Sequence, residues 1–289
     1  MPARTIEVQA PTTGVRPSGS ITFIGTATVV IDAGGFRVLT DPNFLHQGQH
    51  AALGGGLRSR RLTEPAAPLT ELLPIDVVVL SHHHGDHFDQ VAERDLPKGT
   101  PIVTTAHAAR KLAKQGFTNT HVLDTWEQAA VVREGAELTV TALPAKHAPQ
   151  PLRAVLPPVM GSMLDYRVGN ASYRLYVTGD TLMHDGLREI PQRYPGIDLA
   201  LVHLGGTKVL GILLTMDGEQ GAEALEVVDP DAAIPIHVDD YTVFKSPIED
   251  FDRAVAKRGL RTTIHRLARG ETFPFDFAVG PLPGHGPPA

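Results

Sequence analysis

The sequence contains no cysteine among its 289 residues. That absence excludes disulfides, thiolate metal ligands and a cysteine nucleophile. There is also no run of the ~20 apolar residues that a membrane-spanning helix requires. The segment 1–19, rich in Pro, Thr and Gly, has no apolar centre and does not read as a secretory signal. No charge of one sign dominates: 26 Lys and Arg stand against 32 Asp and Glu, a formal net charge of -6. Without a basic stripe, neither nucleic acid nor an anionic membrane surface is expected as a partner. No internal repeat recurs at a fixed period. What remains is a soluble chain, expected in the cytoplasm and acting on a small molecule, with a homo-oligomer left open.

What the sequence does have is 42% hydrophobic and 20% charged residues, enough for one large domain. The expected division is an irregular segment at 1–19, a single domain at 20–279 and a Pro/Gly-rich tail at 280–289. Three strands in a meander are expected over Ile21–Gly25, Ala27–Ala33 and Phe36–Asp41, with Gly34-Gly35 as a tight hairpin turn. Short strands then alternate with helices, which argues for an α/β (α+β) chain with two mixed sheets covered by helices.

The most informative stretch runs from Val77 to Asp89. Four aliphatic residues, Val77-Val78-Val79-Leu80, read as a parallel strand buried on both faces. They are followed at once by Ser81-His82-His83-His84-Gly85-Asp86-His87. A polar cluster at the C-terminal end of such a strand is where open α/β sheets place their sites. In extended backbone, residues two apart point the same way, so His82 and His84 can grip one ion together. Asp86 and His87, expected in the first turn of a helix, can face a second ion nearby. Imidazole and carboxylate suit zinc foremost, with manganese or iron as alternatives.

This His-x-His-x-Asp-His pattern resembles the metallo-β-lactamase superfamily. The resemblance demands three further ligands in a fixed order, each after a strand: a histidine, an aspartate and a histidine. His147, Asp180 and His237 meet that demand. The resemblance implies a four-layer αβ/βα sandwich. It assigns His82, His84 and His147 to one divalent ion and Asp86, His87 and His237 to a second, with Asp180 bridging. It further implies a hydrolase that attacks a small ester, lactone or related carbonyl substrate with a hydroxide shared between two ions, most simply Zn2+, with Mn2+ or Fe2+ as alternatives. Phosphodiester cleavage and iron-dependent redox chemistry on the same scaffold are the competing readings. Four short motifs, Ile24-Gly25-Thr26-Ala27-Thr28, Leu39-Thr40-Asp41-Pro42, Gly179-Asp180-Thr181 and Pro235-Ile236-His237, look like the branch that contains L-ascorbate 6-phosphate lactonase, with N-acyl-phosphatidylethanolamine phospholipase D as a more distant relative.

Other candidates are less specific. Asp41 ends a strand as the ligands do, and reads either as a turn-former before Pro42 or as a group just behind the metals. The long segment 43–68 carries Arg58, Arg60 and Arg61 and reads as a surface loop or as a flap whose arginines meet an anionic substrate. The proline-rich stretch 148–160, with Arg153, and the segment Lys208–Leu214 are expected to wall an apolar pocket. His184 reads as a residue at the start of a helix. Asp86 is expected to orient the nucleophile as well as bind metal, and Tyr241 to serve as an oxyanion donor.

Overall fold

The structure, a computed structural model, describes residues 4–8, 14–149, 156–209, 211–280 and 282. Its first third holds β1 (Arg4–Glu7), β2 (Ser18–Gly25), β3 (Thr28–Ala33), β4 (Phe36–Thr40), β5 (His50–Ala52), β6 (Arg58–Arg60) and α1 (Leu69–Leu72). Next come β7 (Val77–Leu80), α2 (Gln90–Asp95), β8 (Ile102–Thr104), α3 (Ala106–Lys114), β9 (Thr120–Val122), β10 (Gln128–Arg133) and β11 (Ala136–Leu143). Then follow β12 (Gly161–Val168), β13 (Ala171–Val177), α4 (Glu189–Arg193), β14 (Leu199–His203), β15 (Lys208–Val209) and β16 (Ile212–Leu213). The last part is α5 (Gly218–Val228), β17 (Ala232–Ile236), α6 (Ile248–Arg258), β18 (Thr263–Ile264), β19 (Thr272–Asp276) and β20 (Ala278–Val279).

Two mixed sheets result. The seven-stranded sheet has the order β19-β2-β3-β4-β7-β8-β9. The nine-stranded sheet runs β1-β10-β11-β12-β13-β14-β17-β18, with β20 added against β13. The alternation of side chains along each strand explains the layering. Val77 and Val79 of β7, with Leu199 and Leu201 of β14, lie in the core between the sheets. Their neighbours Val78 and Leu80 face outward onto Ala92 of α2 and Ala108 and Leu112 of α3. Ala200 and Val202 face outward onto Ala222 and Leu225 of α5 and Phe251 of α6. A strand buried on both faces must be aliphatic throughout, which is why β7 reads as an unbroken run. The four-layer αβ/βα sandwich expected from the sequence is the observed fold. Among the described residues, no helix is long and apolar enough to cross a membrane.

Several local expectations need correction. The segment 1–19 is not wholly irregular: β1 pairs in parallel with β10, and Ile6 is buried in the central core. Only one of its four residues is buried, so no alternation marks it in the sequence. Asp86 and His87 lie not in a helix but in a turn, closed by the N–H groups of His87 and Phe88 donating to the His84 carbonyl at 3.0 and 2.7 Å. The helix begins later, because Asp89 caps it by accepting from Val91 and Ala92 N–H. Ahead of α6, Ser246 Oγ accepts from Gly218 N–H at 2.9 Å, and Pro247 precedes the helix. That contact helps to hold α5 against α6. Their backbones approach so closely that a Cβ on Gly218 would fall 2.4 Å from Phe251 N. The Gly34-Gly35 turn is as expected, with φ values of 59° and 87° that suit glycine.

Candidate metal centre

Every expected metal-binding side chain lies at the C-terminal end of a strand or in the loop that follows it. His82, His84, Asp86 and His87 follow β7 of the seven-stranded sheet, whereas His147, Asp180 and His237 follow β11, β13 and β17 of the nine-stranded sheet. The strand ends converge in the cleft, and all seven side chains are buried. They form two groups, His82 with His84 and His147, and Asp86 with His87, Asp180 and His237. Within each group one potential ligand atom per residue lies within 4.8 Å of the others. This is the partition expected for the histidines and Asp86. Asp180 sits with the second group, and its charge also acts on His82, His84 and His147 of the first.

The hydrogen bonds behind these residues set which ring nitrogen faces inward. His147 Nδ1 lies 3.2 Å from the Leu214 carbonyl, which can only accept, so Nε2 carries the free lone pair. His87 Nδ1 donates to Asp41 Oδ2 at 2.9 Å. Ser81 Oγ donates to the same carboxylate at 2.8 Å and receives His82 Nδ1 at 3.0 Å. His82 Nε2 and His84 Nδ1 are thereby brought within 2.9 Å of each other. Asp41 therefore does lie directly behind the centre, where it also accepts from Ser81 N–H at 2.7 Å.

The donor set fits cations. Asp86 Oδ1, His87 Nε2, Asp180 Oδ1 and His237 Nε2 are buried without a hydrogen-bond partner. A buried polar atom left unpaired costs about 1–3 kcal/mol, so four at one spot are hard to retain without a ligand. His237 Nε2 lies 3.6 Å from both Asp86 Oδ2 and Asp180 Oδ1, and His87 Nε2 lies 3.3 Å from Asp180 Oδ2. These are spacings that leave room between the atoms. Burial pushes His84 down to about 3, and burial together with the neighbouring charges of His87 and His84 pushes His82 well down. Neutral imidazole is the form that binds metal. Burial opposes the charges of Asp86 and Asp180, yet His87 and His237 hold both carboxyls below their ordinary range. Burial also works against a charge on His87, but Asp180, Asp41 and Asp86 together push it well above the usual histidine range in the metal-free chain, so a cation at Nε2 would displace a proton there.

Two groups important to this geometry carried no clear signal in the sequence. His203, at the end of β14, is buried and stacked on His87 with ring centroids 6.1 Å apart, and its Nδ1 lies 3.1 Å from Thr178 Oγ1. Its position at a strand end was the available clue. The other is Asp240. His237 adopts a left-handed backbone conformation, φ 60°, that a non-glycine residue rarely holds unsupported. Its N–H donates to the Thr26 carbonyl at 2.7 Å, and Thr26, itself at φ 55°, donates its N–H to Asp240 Oδ2 at 2.8 Å. Asp240 is fully buried, and its Oδ1 accepts from Arg269 Nε at 3.0 Å and from the Thr63 hydroxyl.

This network overturns two expectations. Arg61 is fully buried rather than poised for substrate: it donates to the Asn43 carbonyl at 3.0 Å and to the Asn43 side chain, and its Nη2 lies 4.0 Å from Asp240. Arg58 and Arg60 are exposed on β6 but do not line the cavity at the metal-binding groups. Tyr241, expected as an oxyanion donor, is buried with its hydroxyl already donating to Asn43 Oδ1 at 3.0 Å, so it braces the loop after His237. His184 caps a 3-10 turn at Asp185–Arg188 by accepting from Gly186 N–H. Arg153 lies outside the described residues.

Above the donor groups is a cavity of about 270 Å³. Its floor is His84, Asp86, His147 and Asp180, and its walls are Leu53, Gly54, Gly55, Leu57, Leu156, Pro157, Thr207, Val209 and Leu214. The segment 43–68 thus does cover the site, through the β5–β6 hairpin, but it presents apolar residues rather than arginines. Leu156 and Pro157 from the proline-rich stretch, and Val209 and Leu214, form walls as expected. Among the described lining residues there is no Lys or Arg.

Comparison with known proteins agrees with this architecture. The chain is 27% identical over 272 residues to a UPF0173 metal-dependent hydrolase of Aeropyrum pernix, covering 89% of this chain and 98% of that protein. It is 26% identical over 253 residues to UPF0173 metal-dependent hydrolase MK1542 of Methanopyrus kandleri, covering 88% and 98%. An isothiocyanate hydrolase from Delia radicum gut bacteria superposes with a TM-score of 0.74 at 23% identity, covering 89% of this chain and 99% of that one. The family described as Beta-lactamase superfamily domain matches residues 36–238, a span that contains all seven donor residues. The chain belongs to the beta-lactamase superfamily.

Proposed function

We propose that this protein is a metal-dependent hydrolase that holds two divalent cations and cleaves a small ester, lactone or related carbonyl compound. One observation carries the reading: two groups of buried donor atoms, several without partners, form the floor of a cavity whose described walls are apolar and lack cationic side chains. His82, His84 and His147 would hold one cation, and Asp86, His87 and His237 the other, with Asp180 between them. Cations bound there would lower the pKa of a bound water towards 7 and polarise a carbonyl oxygen. The relatives named as metal-dependent hydrolases support the hydrolase class, and the likeness of four short motifs to the lactonase branch favours a carbonyl substrate within it.

The chain's own groups have separable tasks. Asp41 fixes His87 through Nδ1, and the Leu214 carbonyl fixes His147, so that each presents Nε2 to the centre. Asp86 remains a carboxylate, and whichever of its oxygens does not hold a cation can accept a hydrogen bond from the attacking water and orient it. The leucines and Pro157 exclude bulk water, which strengthens electrostatic contacts inside the cavity. A phosphodiester would bring a permanent negative charge, and the described walls offer no Lys or Arg to meet it. The test is a panel of lactones and simple esters against bis-aryl phosphates, each with and without chelator. Chelator-sensitive turnover of the carbonyl compounds is expected. Turnover confined to the phosphates, or unaffected by chelation, would overturn the reading.

A further inference from the structure

The two hairpins at the cavity mouth have an unusual surface. Of the four large hydrophobic residues exposed among the described residues, Leu57 and Ile212 belong to these hairpins, at 38% and 39% exposure. Leu57 ends the glycine turn that joins β5 to β6, where its N–H donates to the Gly54 carbonyl at 2.9 Å. Ile212 is paired directly with Val209 across β15 and β16, so the two side chains share a face, and Val209 lines the cavity. Apolar side chains left in water beside a cavity mark a place where something apolar binds. Here they continue the inner wall of Leu53, Leu156, Pro157 and Leu214 outward from the donor groups to solvent.

We infer that the substrate carries an uncharged apolar arm, alkyl or aryl, which lies between the β5–β6 and β15–β16 hairpins while its reacting carbonyl sits over Asp86 and Asp180. This rests on the carbonyl-hydrolase reading above and narrows it. The cavity, about 270 Å³, limits how long an arm can be held away from water. Gly54 sets the depth, since a Cβ there would stand 3.6 Å from His84 Nε2, in the space between the turn and the donor groups. Its φ of 85° already favours glycine.

The experiment uses the metal-loaded protein and two homologous series: γ-lactones with alkyl tails of one to eight carbons, and straight-chain carboxylates of two to ten carbons. The lactones are assayed for hydrolysis and the carboxylates titrated by calorimetry. Burying one methylene is worth about a fourfold change in equilibrium. We expect kcat/KM for the lactones, and affinity for the carboxylates, to rise by up to that factor per carbon and to level once the tail passes Leu57 and Ile212 into water. In Leu57→Ser and Val209→Ser the rise per carbon becomes shallower, and in Gly54→Val the long-tailed members lose most. Hydrolysis that is flat with tail length sinks the apolar arm and leaves the hydrolase reading intact. Absence of lactone hydrolysis, with chain-length-dependent carboxylate binding retained, sinks the carbonyl reading and leaves the apolar arm. A chain-length effect unchanged by Leu57→Ser and Val209→Ser refutes the placement between the hairpins.

Discussion

Replacing Asp240 with asparagine tests how His237 is held. In the native protein the Asp240 carboxylate accepts Thr26 N–H at 2.8 Å and Arg269 Nε at 3.0 Å, with Arg61 Nη2 at 4.0 Å, and Asp240 and Arg61 have no solvent exposure. Asparagine can keep the bond to Thr26 with its oxygen. Its amide NH2 then faces Thr63 and two guanidinium groups, and the buried charge of Arg61 loses its nearest counter-charge. Removing one partner of a buried ion pair costs about 3–5 kcal/mol. For chains of this size each kcal/mol lowers Tm by about 2–4 °C, so a fall of roughly 10 °C is expected in scanning calorimetry. The loss is also directional. Thr26 and His237 are coupled through the 2.7 Å bond between them, so the cation held by His237 should dissociate more readily, whereas the one held by His82, His84 and His147 should stay. Metal analysis after dialysis reads this difference. A Tm within 2 °C of the native value with both cations retained would show that the Asp240 network does not hold the His237 loop.

Three further outcomes are expected. His84→Ala should lose about one cation per chain and most hydrolytic activity, as measured by elemental analysis and turnover; metal content and activity unchanged would break the assignment of the first site. Metal analysis of native protein would also detect redox-active iron. In metal-free protein, His84 is held neutral down to about 3 by burial, against 6.5 when unfolded. Below pH 6.5 the unfolded chain takes up a proton that the folded chain refuses, so stability present above 6.5 is lost as the pH falls towards 3. His84→Gln should reduce that slope by up to ~1.4 kcal/mol per pH unit, and equal slopes in urea titrations at pH 7 and pH 5 would contradict it. Gly218→Ala places a Cβ 2.4 Å from Phe251 N and 2.6 Å from Asp250 C, where backbone cannot yield as a side chain can. Such overpacking costs about 1–3 kcal/mol, and an unchanged urea midpoint would mean that α5 and α6 separate easily.

The clustered donor groups were legible because their chemistry is local in sequence or set by strand order. His82 to His87 lie within six positions of one strand end, and His147, Asp180 and His237 each follow a strand. The layers were legible for a related reason, since Val77–Leu80 must be apolar at every position to bury both faces. Arg61 misled because a run of Arg58, Arg60 and Arg61 looks like a charged loop. The alternation along β6 sends Arg58 and Arg60 to solvent and Arg61 into the interior. Tyr241 misled, and Asp240 and His203 carried no signal, for one reason. Their partners, Asn43, Thr26 and Asp41 (3.7 Å from His203 Nε2), lie far away in sequence, and no spacing rule links them. Segment 1–19 hid a strand because β1 is added at a sheet edge with one buried residue.

Neither sheet owns a complete set of donors. Four come from one half of the sandwich and three from the other, so cations seated between them would act as rivets through the cleft. Their binding free energy would then also be adhesion between the halves. A substitution that tilts one sheet against the other would reach the donor groups without touching them, and metal supply would set how tightly the two halves stay closed.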